Sequence, residues 1–352
     1  MEILKLKTSR PFFSSIYRRF ILRENLLFFK IFSIYLLPFC LFYLAVIYIK
    51  KCLIRKKKLD VPVISVGNIT AGGTGKTPLV VYIASFYKRY GRRIIIASSG
   101  GLNKKGSLKI KPYDEAIMIK NNFREITITG KRVKDIDSKL TGNKKDIVLL
   151  DDGFHCHHID KDMDILVIDM ANPFDNNLLL PAGLLREPKS ELKRADIFIL
   201  SHPYMVGIEY QRLLIRYLES FKKPIFIMDY KIESVENNRE KISPEFIRGR
   251  NILAFAGTGN PFNFFSILFT LSPSKICGII YPDHFPYQKQ DVKELEDVFL
   301  KKGGEYLITT EKDYVKLSEY EWKVPVFYLR IKPVLKSIKG ESFDTLLLNI
   351  IE

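Results

Sequence analysis

The segment Val61 to Pro78, VPVISVGNITAGGTGKTP, constrains this chain more than any other stretch of it. A short apolar run reads as a strand, a glycine-rich loop follows, and Gly75-Lys76-Thr77 opens an amphipathic helix expected over Leu79 to Tyr90. A loop placed between a buried strand and a helix start turns its backbone N–H groups, and the positive end of the helix dipole, toward an anion. Gly72, Gly73, Thr74 and Gly75 are therefore expected to wrap the phosphates of a nucleoside triphosphate such as ATP. Lys76 would neutralise β- and γ-phosphate oxygens, and the Thr77 hydroxyl would ligate Mg²⁺. The run departs from the usual G-x-x-x-x-G-K-[ST] pattern by placing Thr70 where a glycine is common.

The chain has 352 residues, 47% of them hydrophobic and 27% charged, as a folded protein of two domains would. Its net charge of +17 suggests nucleic acid until the charge is located. Residues 1–58 hold 13 Lys and Arg against Glu2 and Glu24, contributing +11, and the other 294 residues contribute only +6. No nucleic-acid motif accompanies that modest remainder, so a nucleic-acid partner is not expected. The basic residues instead flank Ile31 to Ile49, a run of 19 residues without a charge. As a helix it would be roughly 28 Å long, close to the hydrocarbon thickness of a bilayer. It is too long for a signal peptide and is followed by Lys50-Lys51 in place of a small-residue cleavage site. Pro38 leaves two geometries open, a kinked span or a broken helix lying in the interface, and a buried core helix is the other reading. Basic residues on both sides (Arg18, Arg19, Arg23; Lys50, Lys51, Arg55 to Lys58) do not orient the segment, but would hold it at an anionic surface. A phosphate-binding domain starting at Val61 must face the cytosol.

Beyond the apolar segment, short apolar runs alternate with helical stretches, the pattern of an α/β fold with a parallel sheet. Strands are expected at Pro62–Val66, Arg93–Ala97, Ile147–Leu150, Ile165–Ile168, Ile197–Leu200 and Ile225–Met228, and again at Ile252–Ala256, Ile276–Ile280, Tyr306–Thr309 and Val326–Leu329. The polar stretch Lys231–Arg250 reads as a junction between them. The division expected is a basic membrane-anchoring segment over 1–58, a P-loop domain over 59–230 and a smaller α/β domain over 231–352. Cys40, Cys52, Cys156 and Cys277 form no disulfide or CxxC pattern, as in a reducing compartment.

Further side chains carry chemistry. IVLLDDG (Ile147–Gly153) is an apolar strand ending in Asp151 and Asp152, placed to supply a second Mg²⁺-binding acid beside a phosphate loop. His155-Cys156-His157-His158 suggests a metal site, but adjacent residues cannot all converge on one ion and no partner cluster exists in the sequence. A loop touching nucleotide or substrate is the better expectation. Leu180 to Pro188 carries Arg186, which could stabilise a transferring phosphoryl group, and Glu187, which could help hold Mg²⁺, or the two form a surface salt bridge. Tyr281 to Tyr287 braces Asp283 and His284 between prolines, and Thr309-Thr310-Glu311-Lys312-Asp313 follows a strand. Either is also explained by turn chemistry, and a Glu–Lys–Asp run is ordinarily solvated.

In this order, SVGNITAGGTGKTP, LLDDGFHCHHIDKDMDILVID, LLPAGLLREP, FAGTGNPFNFF, YPDHFPY and TTEKDYVK resemble the tetraacyldisaccharide 4′-kinase family, the lipid A kinases of Gram-negative bacteria. The resemblance covers about Val61 to Lys316 and extends to the N-terminal hydrophobic helix. It implies transfer of the ATP γ-phosphate to the 4′-hydroxyl of a tetraacylated, 1-phosphorylated glucosamine disaccharide at the inner membrane; no protein partner is implied. It further implies that Lys76 and Thr77 bind phosphates and Mg²⁺, that Asp151, Asp152 and Glu187 attend the metal, and that Arg186 supports the transition state. His284 would assist a catalytic aspartate, placed at Asp114 because Tyr113-Asp114-Glu115-Ala116-Ile117 is similar to the family's Gly-Asp-Glu-Pro stretch. With Asp114 in one domain and His284 in the other, domain closure is expected to assemble the site. Two departures stand out: Ser98-Ser99-Gly100-Gly101-Leu102 replaces Ser-Arg-Gly-Tyr-Gly, and His155-Cys156 stands where Gln-His is common. The competing class is a P-loop switch or metallochaperone using His155 to His158, which predicts zinc or nickel binding and hydrolysis without a lipid acceptor.

Overall fold

Short, mostly apolar runs cannot leave either face in water, and in the computed structural model they become strands of five to seven residues buried on both sides. The structure describes residues 2–4, 26–98, 127–129, 133–143 and 145–351. In chain order the elements begin with β1 (Glu2–Leu4), α1 (Leu26–Leu53), β2 (Val63–Gly67), α2 (Lys76–Arg89), β3 (Arg93–Ala97), β4 (Thr127–Thr129), α3 (Val133–Asp137), β5 (Asp146–Asp151), β6 (Met163–Asp169), β7 (Ile197–Ser201) and α4 (Ile208–Glu219). They continue with β8 (Ile225–Glu236), β9 (Lys241–Ile242), β10 (Asn251–Ala256), α5 (Pro261–Phe269), β11 (Lys275–Ile280), α6 (Lys289–Lys302), β12 (Tyr306–Thr310), α7 (Glu311–Leu317), β13 (Val326–Ser337) and α8 (Phe343–Leu348).

One compact unit comprises Leu27–Asp229 and Pro333–Glu352. Its strands run in the order β8-β7-β6-β2-β5-β3-β4, every neighbouring pair parallel. Ile64, Val66, Val148, Leu149, Ile165, Val167, Phe198 and Leu200 are almost wholly inaccessible, each contributing roughly 1.5–3 kcal/mol of burial. Helix α2 follows the loop because Leu79, Val80, Ile83, Ala84, Phe86 and Tyr87 recur at helical spacing and bury one face.

The last twenty residues, assigned above to the C-terminal domain, return to this unit. The cause is specific pairing: Tyr82 Oη donates to Asp344 Oδ1 at 2.6 Å, Tyr87 Oη to the Leu347 carbonyl at 2.7 Å, and Arg92 to the Ile351 carbonyl at 2.9 Å.

At the amino ends of β3 and β5, Arg93 Nε and Nη2 meet Asp146 at 2.7 and 3.0 Å, and the Thr141 backbone N–H donates to the same carboxylate at 2.9 Å. The Arg93 hydrogen bond, with help from Thr141, outweighs burial and holds Asp146 down at about 2. A carboxyl depressed in the folded state contributes stability above its unfolded value near 4, and that contribution is lost as pH falls toward 2. Asp146→Asn is expected to cost about 1–3 kcal/mol at pH 7 in urea unfolding, with the difference from wild type narrowing at acid pH.

The second unit comprises Tyr230–Lys332 together with β1. Its strands run β1-β11-β10-β12-β13, again parallel, and β9 pairs antiparallel with β8. Alternation along β10 sends Leu253 and Phe255 to one face, with Leu295 and Phe299 of α6, and Ile252, Ala254 and Ala256 to the other, with Phe264, Phe265 and Leu268 of α5. The unit boundaries fall inside β8 and β13. Lys231 to Glu236, the start of the polar stretch read as a junction, is thus the second half of a strand.

Helix α1 runs unbroken through Pro38, so the broken-helix geometry does not occur. Among the described residues it is the one helix long and apolar enough to cross a membrane, over Tyr35–Leu53, and few residues of that stretch are buried.

Candidate active site

The glycine loop occupies the carboxyl end of β2, the edge of a parallel sheet where ligands bind. Gly75, the residue before α2, has φ +80°, a left-handed conformation that side chains resist. Gly67 allows β2 to approach the next loop closely: a Cβ there would lie 2.5 Å from the Phe154 backbone nitrogen. The loop is also stitched to the Leu180–Pro188 segment. Ala71 N–H donates to the Leu184 carbonyl at 2.7 Å, Arg186 N–H donates to the Ile69 carbonyl at 2.8 Å, and Thr70 bridges Leu185.

Strand β5 brings its acids to the same edge. Asp151 is buried at the strand end, and Asp152 follows with φ +54°. Lys76 Nζ donates to Asn68 Oδ1 at 3.0 Å and lies 3.6 Å from Asp152 Oδ1, while Arg186 Nη1 donates to Asp152 Oδ2 at 2.9 Å. Burial pushes the Lys76 ammonium down from its ordinary value, against the opposing pull of Asp152 and Asp151. Lys76, Asp151, Asp152 and Arg186 therefore gather around one glycine loop, with Thr77 in the first turn of α2. This puts a pair of cations and a pair of acids beside one glycine loop.

Glu187 sits apart from that group. Only 2% exposed, its carboxylate receives His155 Nδ1 at 2.6 Å, His157 Nε2 at 3.1 Å, Lys51 Nζ at 2.6 Å and Arg194 Nη2 at 3.3 Å. Burial alone would raise this carboxyl, but the His155 and His157 hydrogen bonds, the Arg194 charge and Lys51 hold it far below the usual carboxylate range. Arg194 Nη1 also donates to His157 Nδ1 at 2.9 Å, which places the imidazole proton on Nε2, facing Glu187. The Arg186–Glu187 pair is thus no simple surface salt bridge, because its members face different partners. His155 and His157 turn onto Glu187, and no group of three His, Cys, Asp or Glu among the described residues could hold a metal ion.

In the second unit, the carboxyl ends of β10, β11 and β12 bring three motifs together. Asp313 is fully buried and accepts from Gly257 N–H at 2.8 Å and Thr310 Oγ1 at 2.8 Å, while Thr310 caps α7 by accepting from Asp313 N–H at 3.1 Å. The Glu–Lys–Asp run is therefore not solvated. His284 has φ +55°, its N–H donates to the Gly257 carbonyl at 3.2 Å, and Lys312 Nζ donates to its Nε2 at 3.2 Å. An ammonium has nothing to accept with, so Nε2 is the acceptor and the ring proton lies on Nδ1. Asp283 Oδ1 is 3.6 Å from the same ammonium. Asp114 and residues 99–102 lie outside the described residues.

Several contributors were not singled out by sequence reasoning. Asn68 sits inside the quoted GNIT run, so its signal was present. Lys51 was grouped with cations facing a membrane, whereas its ammonium is held by Glu187 and by Glu191 at 2.9 Å. Arg194 carries no local signal beyond its charge, whereas Lys312 and Asp313 stand in the Thr309–Asp313 run named above, which gives no sign of their partners.

Residues 32–352 match the family described as tetraacyldisaccharide-1-P 4′-kinase. The tetraacyldisaccharide 4′-kinase of Syntrophus aciditrophicus (strain SB) is 32% identical over 337 residues, covering 85% of this chain and 87% of its own. That of Aquifex aeolicus (strain VF5) is 31% identical over 321 residues, covering 86% and 94%. A crystal structure described as the "apo" form of LpxK from Aquifex aeolicus in complex with ATP matches at a TM-score of 0.67 and 28% identity, covering 91% of this chain and 100% of that one.

Proposed function

Because this chain belongs to the tetraacyldisaccharide-1-P 4′-kinase family, we propose that it transfers the γ-phosphate of ATP to the 4′-hydroxyl of a tetraacylated glucosamine disaccharide 1-phosphate. The observation that carries the reading is the convergence of Lys76, Asp151, Asp152 and Arg186 on one glycine loop. In the step, the sugar oxygen forms a bond to the γ-phosphorus, the bond from that phosphorus to the β–γ bridging oxygen breaks, and ADP leaves. Asp114, assisted by His284, takes the hydroxyl proton. Lys76 and the loop N–H groups hold the β- and γ-phosphates, and Arg186 meets the charge on the transferring group.

The hard-oxygen donors fit a magnesium ion. Asp151 is a buried carboxylate at a strand end, the Thr77 hydroxyl stands in the first turn of α2, and Thr74 Oγ1 in the loop is buried without a hydrogen-bond partner among the described residues. Thr77, Asp151 and Asp152 would hold Mg²⁺, which takes one or two carboxylates and completes its shell from phosphates and water. When bound it supplies charge neutralisation across the phosphates. Glu187, saturated by two imidazoles and two cations, serves the loop and not the ion in this arrangement.

Helix α1, with exposed Phe39, Leu41, Phe42, Tyr48 and Ile49, seats the enzyme in the inner membrane, catalytic residues toward the cytoplasm, where an acylated acceptor resides. The switch or metallochaperone reading gains nothing from imidazoles already committed to Glu187. The test is ADP release in Mg²⁺-ATP with and without detergent-dispersed tetraacyldisaccharide 1-phosphate. Release should depend on the lipid, and Asp114→Ala should lower it by about 10²–10⁴-fold. Release that ignores the lipid would overturn the reading.

A further inference from the structure

A membrane anchor needs only an apolar surface, yet α1 is bonded at three levels to the segment carrying Arg186. Near its middle, buried Cys40 directs its thiol to the Leu179 carbonyl at 3.2 Å. One turn on, Tyr43 Oη donates to the backbone carbonyl of Arg186 at 3.2 Å. Two turns further, Lys51 Nζ reaches Glu187 Oε2 at 2.6 Å and Glu191 Oε2 at 2.9 Å. At 3.6 residues per turn, positions 40, 43 and 51 fall within about 80° of one another around the helix, which keeps these groups on one face. Residues on other faces, such as Leu41, Phe42 and Ile49, are exposed.

Arg186 is therefore gripped through its backbone from both sides. Its N–H is bound to Ile69 beside the glycine loop, and its carbonyl is bound to Tyr43 of α1. Glu187, the next residue, is a buried carboxylate whose charge requires compensation in place. Lys51 supplies part of that compensation from α1, while His155, His157 and Arg194 supply the rest from the β5–β6 and β6–β7 connections. All of these groups belong to the same compact unit.

We infer that α1 is a positioning element of the phosphoryl-transfer site, with Lys51 and Tyr43 fixing the Arg186–Glu187 segment against the glycine loop, so that seating in lipid and transfer are coupled. The inference rests on the kinase reading for the role of Arg186. Lys51 and Tyr43 are positioning residues: neither touches nucleotide or acceptor in this account. A misplacement of about 1 Å in a group that meets transition-state charge is enough to cost about 10²-fold in rate.

The test compares full-length wild type, Lys51→Met, Lys51→Arg, Tyr43→Phe and Lys50→Met in the same detergent. Lys50 is an exposed neighbour, so Lys50→Met removes the same surface charge without touching Glu187. Lys51→Met is expected to lower kcat by about 10–100-fold with the KM for ATP changed less than about threefold, and Lys51→Arg to recover most of the loss. Tyr43→Phe should lower kcat by about 2–5-fold, and Lys50→Met should match wild type. Amide hydrogen exchange over residues 179–187 supplies a readout independent of activity: it should quicken in Lys51→Met and not in Lys50→Met. Unchanged kcat and exchange in Lys51→Met, or equal losses in both lysine variants, would overturn the inference. If wild type transfers no phosphate, the kinase reading fails, and the exchange comparison alone decides whether Lys51 positions the segment.

Discussion

Replacing Lys76 with alanine should lower kcat for phosphate transfer by about 10³-fold or more while leaving the protein folded. The ammonium is held at the mouth of the glycine loop by Asn68 and Asp152, and no other lysine among the groups described there shares that place. Removing it leaves Asp151 and Asp152 facing the phosphates with one cation fewer, so repulsion adds to lost attraction. Lys76→Arg should not rescue, because a planar guanidinium is larger than the ammonium seated between these two side chains and presents a different donor geometry. Steady-state rates with ATP and lipid acceptor, alongside a thermal unfolding midpoint for each variant, separate this from a folding defect. A Lys76→Ala enzyme within tenfold of wild type would remove the glycine loop from the account.

Arg186→Ala should have the next largest effect, about 10²–10⁴-fold in kcat, with the KM for ATP little changed. Its guanidinium rests on Asp152 at 2.9 Å, while its backbone is fixed to Ile69 and Tyr43. Such a group is preorganised and gains most from charge that develops during transfer. Arg186→Lys should recover only part of the loss, because one ammonium would replace a fork able to meet a phosphoryl oxygen while it holds Asp152. A rise in KM with kcat preserved would instead make Arg186 a ground-state contact.

The strands were legible because a parallel strand covered on both faces leaves an unbroken apolar run, as in β2, β5 and β7. β1, β4 and β9 were missed for the converse reason. They are three, three and two residues long, too short to show a period. The second half of β8, YKIESVE, reads as polar linker because only part of it is buried. The candidate-site group was legible where the signal is local: GKT after a strand and DD at a strand end carry their own context.

What stayed hidden is what only folding brings together. Lys51 and Glu187 are 136 residues apart, and a lysine in a basic cluster beside an apolar helix reads as a lipid-facing charge. Likewise, nothing in DHF or EKD announces that Lys312 donates to His284 or that Asp313 is buried beneath Gly257. The HCHH run misled in a related way. Its residue types suggest a metal, but two of its imidazoles serve one buried carboxylate.

The most direct measurement is transfer of label from γ-³²P-ATP, with Mg²⁺, onto tetraacyldisaccharide 1-phosphate, followed by chromatography of the lipid and assignment of the new phosphate by NMR. One labelled lipid carrying its added phosphate on the 4′ oxygen is expected, formed by wild type and not by Lys76→Ala. Label released only as inorganic phosphate, or attached at another position of the sugar, would contradict it.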